Sequence, residues 1–252
     1  LRNRSSRRYR YPFVSCSRCG PRYSIATAEP WCREHTSLAR FRLCAACRQE
    51  FEDPADRRFH AETISCPLCG PRLRLVSAAA AEALAPPPRG VCASDHHRAV
   101  IDAAAALLQQ GAILALHGVG GFQLLVDAAN PVAVARLRRR KRRPFKPFAL
   151  LVADPAWIAA ELQTSPEHAS PEASSPEATG PEHPSADPQP VDRRALSPAA
   201  LGELRSAAAP IVLLPRRPGR RPDPYPAVAP GSPQLGVMLP ATPLHWLLAR
   251  RF

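Results

Sequence analysis

"LCAACRQEFEDPADRRFHAETISCPLCG", Leu43–Gly70, sets two Cys-x-x-Cys pairs eighteen residues apart. Four thiolates from two such knuckles can converge tetrahedrally on one Zn²⁺, each sulfur about 2.3 Å from the metal. Cys44, Cys47, Cys66 and Cys69 are therefore the predicted ligands of a structural site. A closed four-ligand shell leaves no position for a reacting water, so the metal is not hydrolytic. Gly70, directly after the second knuckle, permits a tight turn there.

The flank of this stretch is repeated. "RRYRYPFVSCSRCGPR", Arg7–Arg22, returns fifty positions later as "RRFHAETISCPLCGPR", Arg57–Arg72. Cys16 and Cys19 align with Cys66 and Cys69, which makes them the second half of another finger. The first half would align with positions before residue 1. The expectation is that the sequence opens inside its first finger, leaving Cys16 and Cys19 as a metal-ligand pair short of two partners. Cys32 and Cys92 stand apart and read as unpaired thiols; His35 and His60 read as packing or surface residues.

The composition, 252 residues with 45% hydrophobic side chains, supports one large folded unit or two small ones. No run of about 18 apolar residues occurs, and "LRNRSSRRYR" has no secretory hydrophobic stretch. A cytoplasmic protein without membrane contact is expected, and in a reducing compartment paired cysteines read as metal ligands, not disulfides. The net charge of +13 raises the question of nucleic acid. Fifteen arginines against seven acids in residues 1–75, and eight cations without an acid in "RLRRRKRRPFK", Arg136–Lys146, supply more than that whole excess. A zinc-containing nucleic-acid-binding protein is one reading of these features. It requires base-reading helices or stacking aromatics between the cysteines, and aromatics make up only 6% of the chain.

Composition divides the chain into a zinc-finger region, residues 1–75, a linker, 76–96, and an α/β domain, 97–252. In the last, "HRAVIDAAAALLQQG" has helical apolar spacing and a glycine stop at Gly111. "AILAL", "FQLLVDA", "PFALLVA", "PIVLLP" and "LGVMLP" read as strands. Asn130 and Pro131 fit the N-cap and first position of a helix through "VAVARLRRRK", and "TPLHWLLARRF" reads as a closing helix. Residues 163–192 interrupt this domain with Pro-Glu recurring every five residues. That period suits neither helix nor strand, and the segment has too few large apolar side chains to offset its ordering entropy, so a disordered insertion is predicted.

Together these strings resemble one family, the HypF carbamoyltransferases of [NiFe]-hydrogenase maturation. The resemblance runs through "RRYRYPFVSCSRCGPRYSI", "TSLARFRLCAACRQEFEDPADRRFHAETISCPLCGP", "GVGGFQLLVDAANPVAVARLRRRKRRPFKPFALLV", "PIVLLPRR" and "APGSPQLGVMLPATPLHWLL". It implies a small four-cysteine zinc-finger module followed by an incomplete YrdC-like α/β domain with a twisted mixed sheet. It also implies ATP with Mg²⁺, carbamoyl phosphate or carbamate, and a HypE-like acceptor protein as substrates and partners, with structural Zn²⁺ and a residual RNA affinity of the YrdC-like part. The family forms carbamoyl-adenylate from ATP and carbamate and passes the carbamoyl group to the C-terminal cysteine of HypE. This chain would carry the middle step and complete no transfer alone. A threonylcarbamoyl-adenylate synthase for tRNA modification shares the nucleotide domain but has no need of the fingers.

The resemblance assigns nucleotide binding to Lys141, Arg143 and Lys146, which match a Lys-x-Arg signature and the lysine after it. Positive groups there would hold a triphosphate as charge moves toward pyrophosphate. Gly120, Gly121 and Gln123 in "GVGGFQL" are read as substrate-binding, since glycines let the backbone approach a small planar acid or a phosphate closely; a plain hairpin turn is the other reading. The family commonly carries lysine where this chain has His117, and often histidine where it has Gln123. His245 resembles a family position, with helix packing as the alternative.

Overall fold

The computed structural model describes residues 1–76, 86–88, 91–162, 197–216 and 225–252. The predicted insertion, 163–192, lies outside them, as does most of the linker.

The fifty-residue repeat survives as backbone geometry. Tyr9, Tyr11 and Val14 donate to the carbonyls of Ser6, Arg8 and Tyr11, and Phe59, Ala61 and Ile64 donate likewise to Asp56, Arg58 and Ala61. Arg10 and His60, fifty apart, both take a left-handed conformation, with φ of 53° and 49°. Gly20 bonds to the Cys16 carbonyl at 2.9 Å and Gly70 to the Cys66 carbonyl at 2.8 Å, closing two equivalent knuckles. The copies face one another through reciprocal contacts: Ser15 Oγ donates to the Thr63 carbonyl and Ser65 Oγ to the Phe13 carbonyl. An approximate two-fold relation results.

Between the copies, helix α1 (Ala45–Glu52) starts directly from Cys44. Its only buried side chain is Cys47, so the cysteine cluster, not an apolar face, anchors it. Arg33 is buried and its guanidinium donates to the carbonyls of Glu62, Ile64 and Phe41, tying the segment before α1 to the second knuckle. Gly70 is demanded by space: a Cβ there would collide with the Tyr11 hydroxyl and the Ser65 Cβ.

Helix α2 (Ser94–Gln109) begins three residues before the predicted start and buries Val100, Ile101, Ala104, Ala105 and Leu108. Gly111, at φ 79°, ends it. The α/β part is docked on the finger region: Ala93 N–H bonds to the Pro67 carbonyl, and His97 of α2 packs against Tyr11 and Phe13 at ring distances of 5.5 and 6.2 Å.

Strands β1 (Leu114–Gly118) and β2 (Gly121–Leu125) form an antiparallel hairpin in which Gly118 faces Gly121 and Leu116 faces Gln123. Helix α3 (Pro131–Lys141) follows, with Asn130 Oδ1 accepting from Ala133 N–H at 3.0 Å as an N-cap. Next come β3 (Ala149–Leu151), α4 (Pro155–Glu161), α5 (Pro198–Arg205), β4 (Val212–Pro215), β5 (Gln234–Met238) and α6 (Pro243–Arg251). In α4, α5 and α6, Asp154, Ser197 and Thr242 cap the N-terminus with proline at the first turn.

The sheet is mixed, with β3 parallel and β4 antiparallel to the central β5. Among the described residues the strands divide into two sheets, and each sheet buries its side chains in a different apolar cluster. The three-stranded sheet packs Leu150, Val152, Leu214, Leu235 and Val237 with Ile158 and Leu204. The hairpin packs Leu116 with α2 and with Leu247 and Leu248 of α6, a cluster that Leu1 and Leu73 of the finger region also join.

Candidate functional site

Two sites emerge. In the first, the sulfurs of Cys44, Cys47, Cys66 and Cys69 all lie within 4.8 Å of one another. Three separations are 3.8 Å (Cys44 to Cys66), 3.7 Å (Cys66 to Cys69) and 3.6 Å (Cys47 to Cys69). Ligands about 2.3 Å from a tetrahedral centre stand about 3.8 Å apart, so this cage fits Zn²⁺. No other group of three or more metal-binding side chains occurs among the described residues. Hydrogen bonding with Cys66 and Cys69 pushes Cys47 up, and hydrogen bonding with Cys47 and Cys69 pulls Cys66 down. Guanidinium N–H groups of Arg7 and Arg8 donate to Cys47 Sγ, each at 3.2 Å, while both side chains also pair with Glu50. These are the outer contacts that orient a metal ligand and offset the charge of a tetrathiolate.

Cys16 and Cys19 share the knuckle geometry but not the cage. Both are exposed, and the contacts that perturb them come from one another and adjacent backbone. Cys16 borders a cavity of about 310 Å³ with Arg57 and Arg58. His35 and His60 stand outside the cage: His35 Nδ1 meets the Pro30 carbonyl, and the His60 ring packs on Phe51 and Phe59.

The second site is a cavity of about 470 Å³ between the hairpin, the end of α3 and the mixed sheet. Of the residues assigned from sequence, Gln123, Lys141 and Arg143 line it. Lys146 does not; it is exposed, and its carbonyl accepts from Arg138 and Arg143. Gly120 and Gly121 form the hairpin turn, where Gly121 at φ 113° requires a residue without Cβ, and neither lines the cavity. His117 stacks on Phe122 at 4.3 Å.

Two further residues organise this cavity: Arg138, which is not among those assigned from the sequence, and His245, which the sequence offered as a family position or a packing residue. Arg138 is buried, and its guanidinium donates to the carbonyls of Arg143, Pro144, Lys146, Ala227 and Val228 while lying 4.4 Å over the Phe148 ring. It fixes the loop that carries Arg143. Ala133, Val134, Leu137 and Arg138 are the buried positions of α3, so the four-residue step from Val134 was a signal that this cation, alone in its run, turns inward. His245 is the second. It is 4% exposed and its Nε2 lies 2.6 Å from Gln123 Oε1.

Comparison with known proteins agrees with this geometry. The family described as "HypF finger" matches residues 1–26 and 43–76, and the Sua5/YciO/YrdC family, described as "Telomere recombination", matches 106–179. Carbamoyltransferase HypF of Rhodobacter capsulatus is 45% identical over 98% of this chain, and HypF2 of Cupriavidus necator is 40% identical over 97%. The chain spans about a quarter of their length, 26% and 25% respectively. A full-length HypF crystallised in a phosphate- and nucleotide-bound form superposes with a TM-score of 0.74 at 33% identity, covering 100% of this chain and 27% of its own. HypF of T. kodakarensis gives 0.71 at 34% identity, covering 98% of this chain and 27% of its own. A cysteine cage of zinc-finger form and a YrdC-type α/β unit, joined in this order and matched in both parts by the same relatives, make this chain a member of the HypF carbamoyltransferase family.

Proposed function

We propose that this chain supplies the adenylate-forming step of a HypF-type carbamoyltransferase. ATP with Mg²⁺ occupies the cavity bounded by Lys141 and Arg143, and carbamate lies toward Gln123. A carbamate oxygen attacks the α-phosphorus, the bond from that phosphorus to the β-bridging oxygen breaks, and pyrophosphate leaves with the electron pair. Lys141 and Arg143 meet the charge that moves onto the departing phosphates. The sulfur of the C-terminal cysteine of a HypE-like acceptor then attacks the carbamoyl carbon of carbamoyl-adenylate, its proton is lost, the carbon–oxygen bond to the phosphate breaks, and AMP leaves as the thiocarbamate forms. Zn²⁺ held by Cys44, Cys47, Cys66 and Cys69 is structural, keeping the finger region folded beneath α2.

The observation that carries this reading is the convergence of Gln123, Lys141 and Arg143, from separate elements, on one cavity. The relatives' names and the nucleotide-bound HypF support it. Calorimetric titration with ATP and Mg²⁺ tests it. Replacing Lys141 and Arg143 together with alanine is expected to weaken binding about tenfold or more. An unchanged affinity, or no binding by the parent chain, would remove these residues from a nucleotide site.

A further inference from the structure

Gln123 and His245 are 122 positions apart, yet their side chains meet at 2.6 Å. Gln123 Oε1 can only accept, so the ring nitrogen facing it, Nε2, carries the proton. The other ring nitrogen, Nδ1, is buried and has no hydrogen-bond partner. His245 stands in the first turn of α6, where Thr242 Oγ1 accepts its backbone N–H at 3.2 Å. That location holds the imidazole in a fixed place, and both the positive helix end and the burial favour its neutral form. With its oxygen held by the histidine, the Gln123 carboxamide keeps its NH₂ group for a ligand.

We propose that His245 is a positioning residue that turns the Gln123 carboxamide so that its N–H donors receive an oxygen of the small planar acid bound beside the nucleotide. This deepens, and rests on, the nucleotide-site reading above. The cavity then has two unlike walls. Lys141 and Arg143 offer full positive charge to phosphates, while Gln123 offers a neutral, directed donor. A neutral donor suits a planar oxyanion that must remain nucleophilic, because a cation in its place would hold the charge more tightly and blunt attack. Substitution of His245 frees the amide to rotate, and the donor is lost without removal of Gln123 itself.

Two measurements test the pair. Long-range ¹H–¹⁵N spectra of the wild-type chain are expected to show His245 as the Nε2–H tautomer; an Nδ1–H tautomer would overturn the proposal. Ammonium carbamate is then titrated into the ATP-loaded wild type, Gln123→Ala, His245→Met and the double variant. Each single substitution is expected to weaken carbamate about tenfold, and the double variant no further than Gln123→Ala, since the histidine acts only through the glutamine. His245→Gln, which keeps an N–H near the Nε2 position, is expected to restore most of the loss. Additive losses, no rescue, or carbamate binding indifferent to His245 would overturn the positioning role. ATP titrations run alongside report the Lys141 and Arg143 wall separately, so failure of the nucleotide reading is distinguished from failure of this one.

Discussion

Arg8 Nη2 lies 3.2 Å from the sulfur of Cys47, a buried contact that links the first copy of the repeat to the metal cage of the second. The same guanidinium pairs with Glu50 at 2.6 Å and donates through Nε to the Ser65 carbonyl at 2.7 Å. One side chain therefore touches α1, a ligand and the segment entering the second knuckle. Outer-sphere partners of metal ligands are worth about 10- to 100-fold in affinity. Arg8→Met is expected to lower zinc affinity by about that factor in competition with a chromophoric chelator, while Cys66→Ser lowers it further. Equal affinity in Arg8→Met and the parent would contradict a supporting role.

The α3 cations divide sharply by burial, which gives a paired prediction. Arg138→Met removes a donor from five carbonyls, of which those of Lys146 and Val228 keep another, and is expected to cost about 3 kcal/mol in urea unfolding. Arg139→Met, one residue on and exposed, is expected to change stability by less than about 0.5 kcal/mol. Similar midpoints for the two variants would mean that the loop does not depend on Arg138.

His97 predicts an acid sensitivity. Burial, reinforced by His96 and Arg72, holds its pKa down at about 4, below the ordinary 6.5, and neither ring nitrogen has a hydrogen-bond partner. The unfolded chain takes up this proton near pH 6.5 and the folded chain only near 4, so stability is full above 6.5 and falls as pH descends through that window. The total loss is roughly 3 kcal/mol. Urea midpoints at pH 7 and 4.5 should therefore fall further in the parent than in His97→Leu. An identical fall in both would show that the ring is not buried between α2 and the finger region.

Much of this architecture is legible in the residues because the relevant signals are local. The Cys-x-x-Cys spacing names the cage, and Asn130 with Pro131 marks the start of α3. Helix α1 is harder to see, since "AACRQEFE" has no apolar stripe and owes its place to Cys47. Helices α4 and α5 carry readable caps, Asp154-Pro155 and Ser197-Pro198, but stand beside the proline-rich segment that dominates their composition. The division into two sheets depends on which cluster each strand enters, a tertiary choice that alternation along a strand does not encode. The Gln123 and His245 contact is likewise invisible until β2 and α6 are brought together. Lys146 and the hairpin glycines show the converse: a motif names a neighbourhood, and only packing decides which of its side chains face the cavity.

The finger region depends on four sulfurs sharing one ion. X-ray absorption at the zinc edge of the purified chain tests it most directly. One zinc per chain, surrounded by four sulfurs at about 2.3 Å, is the predicted result. A zinc-free chain with Cys44, Cys47, Cys66 and Cys69 freely alkylated, or a metal ringed by nitrogen and oxygen, would contradict it.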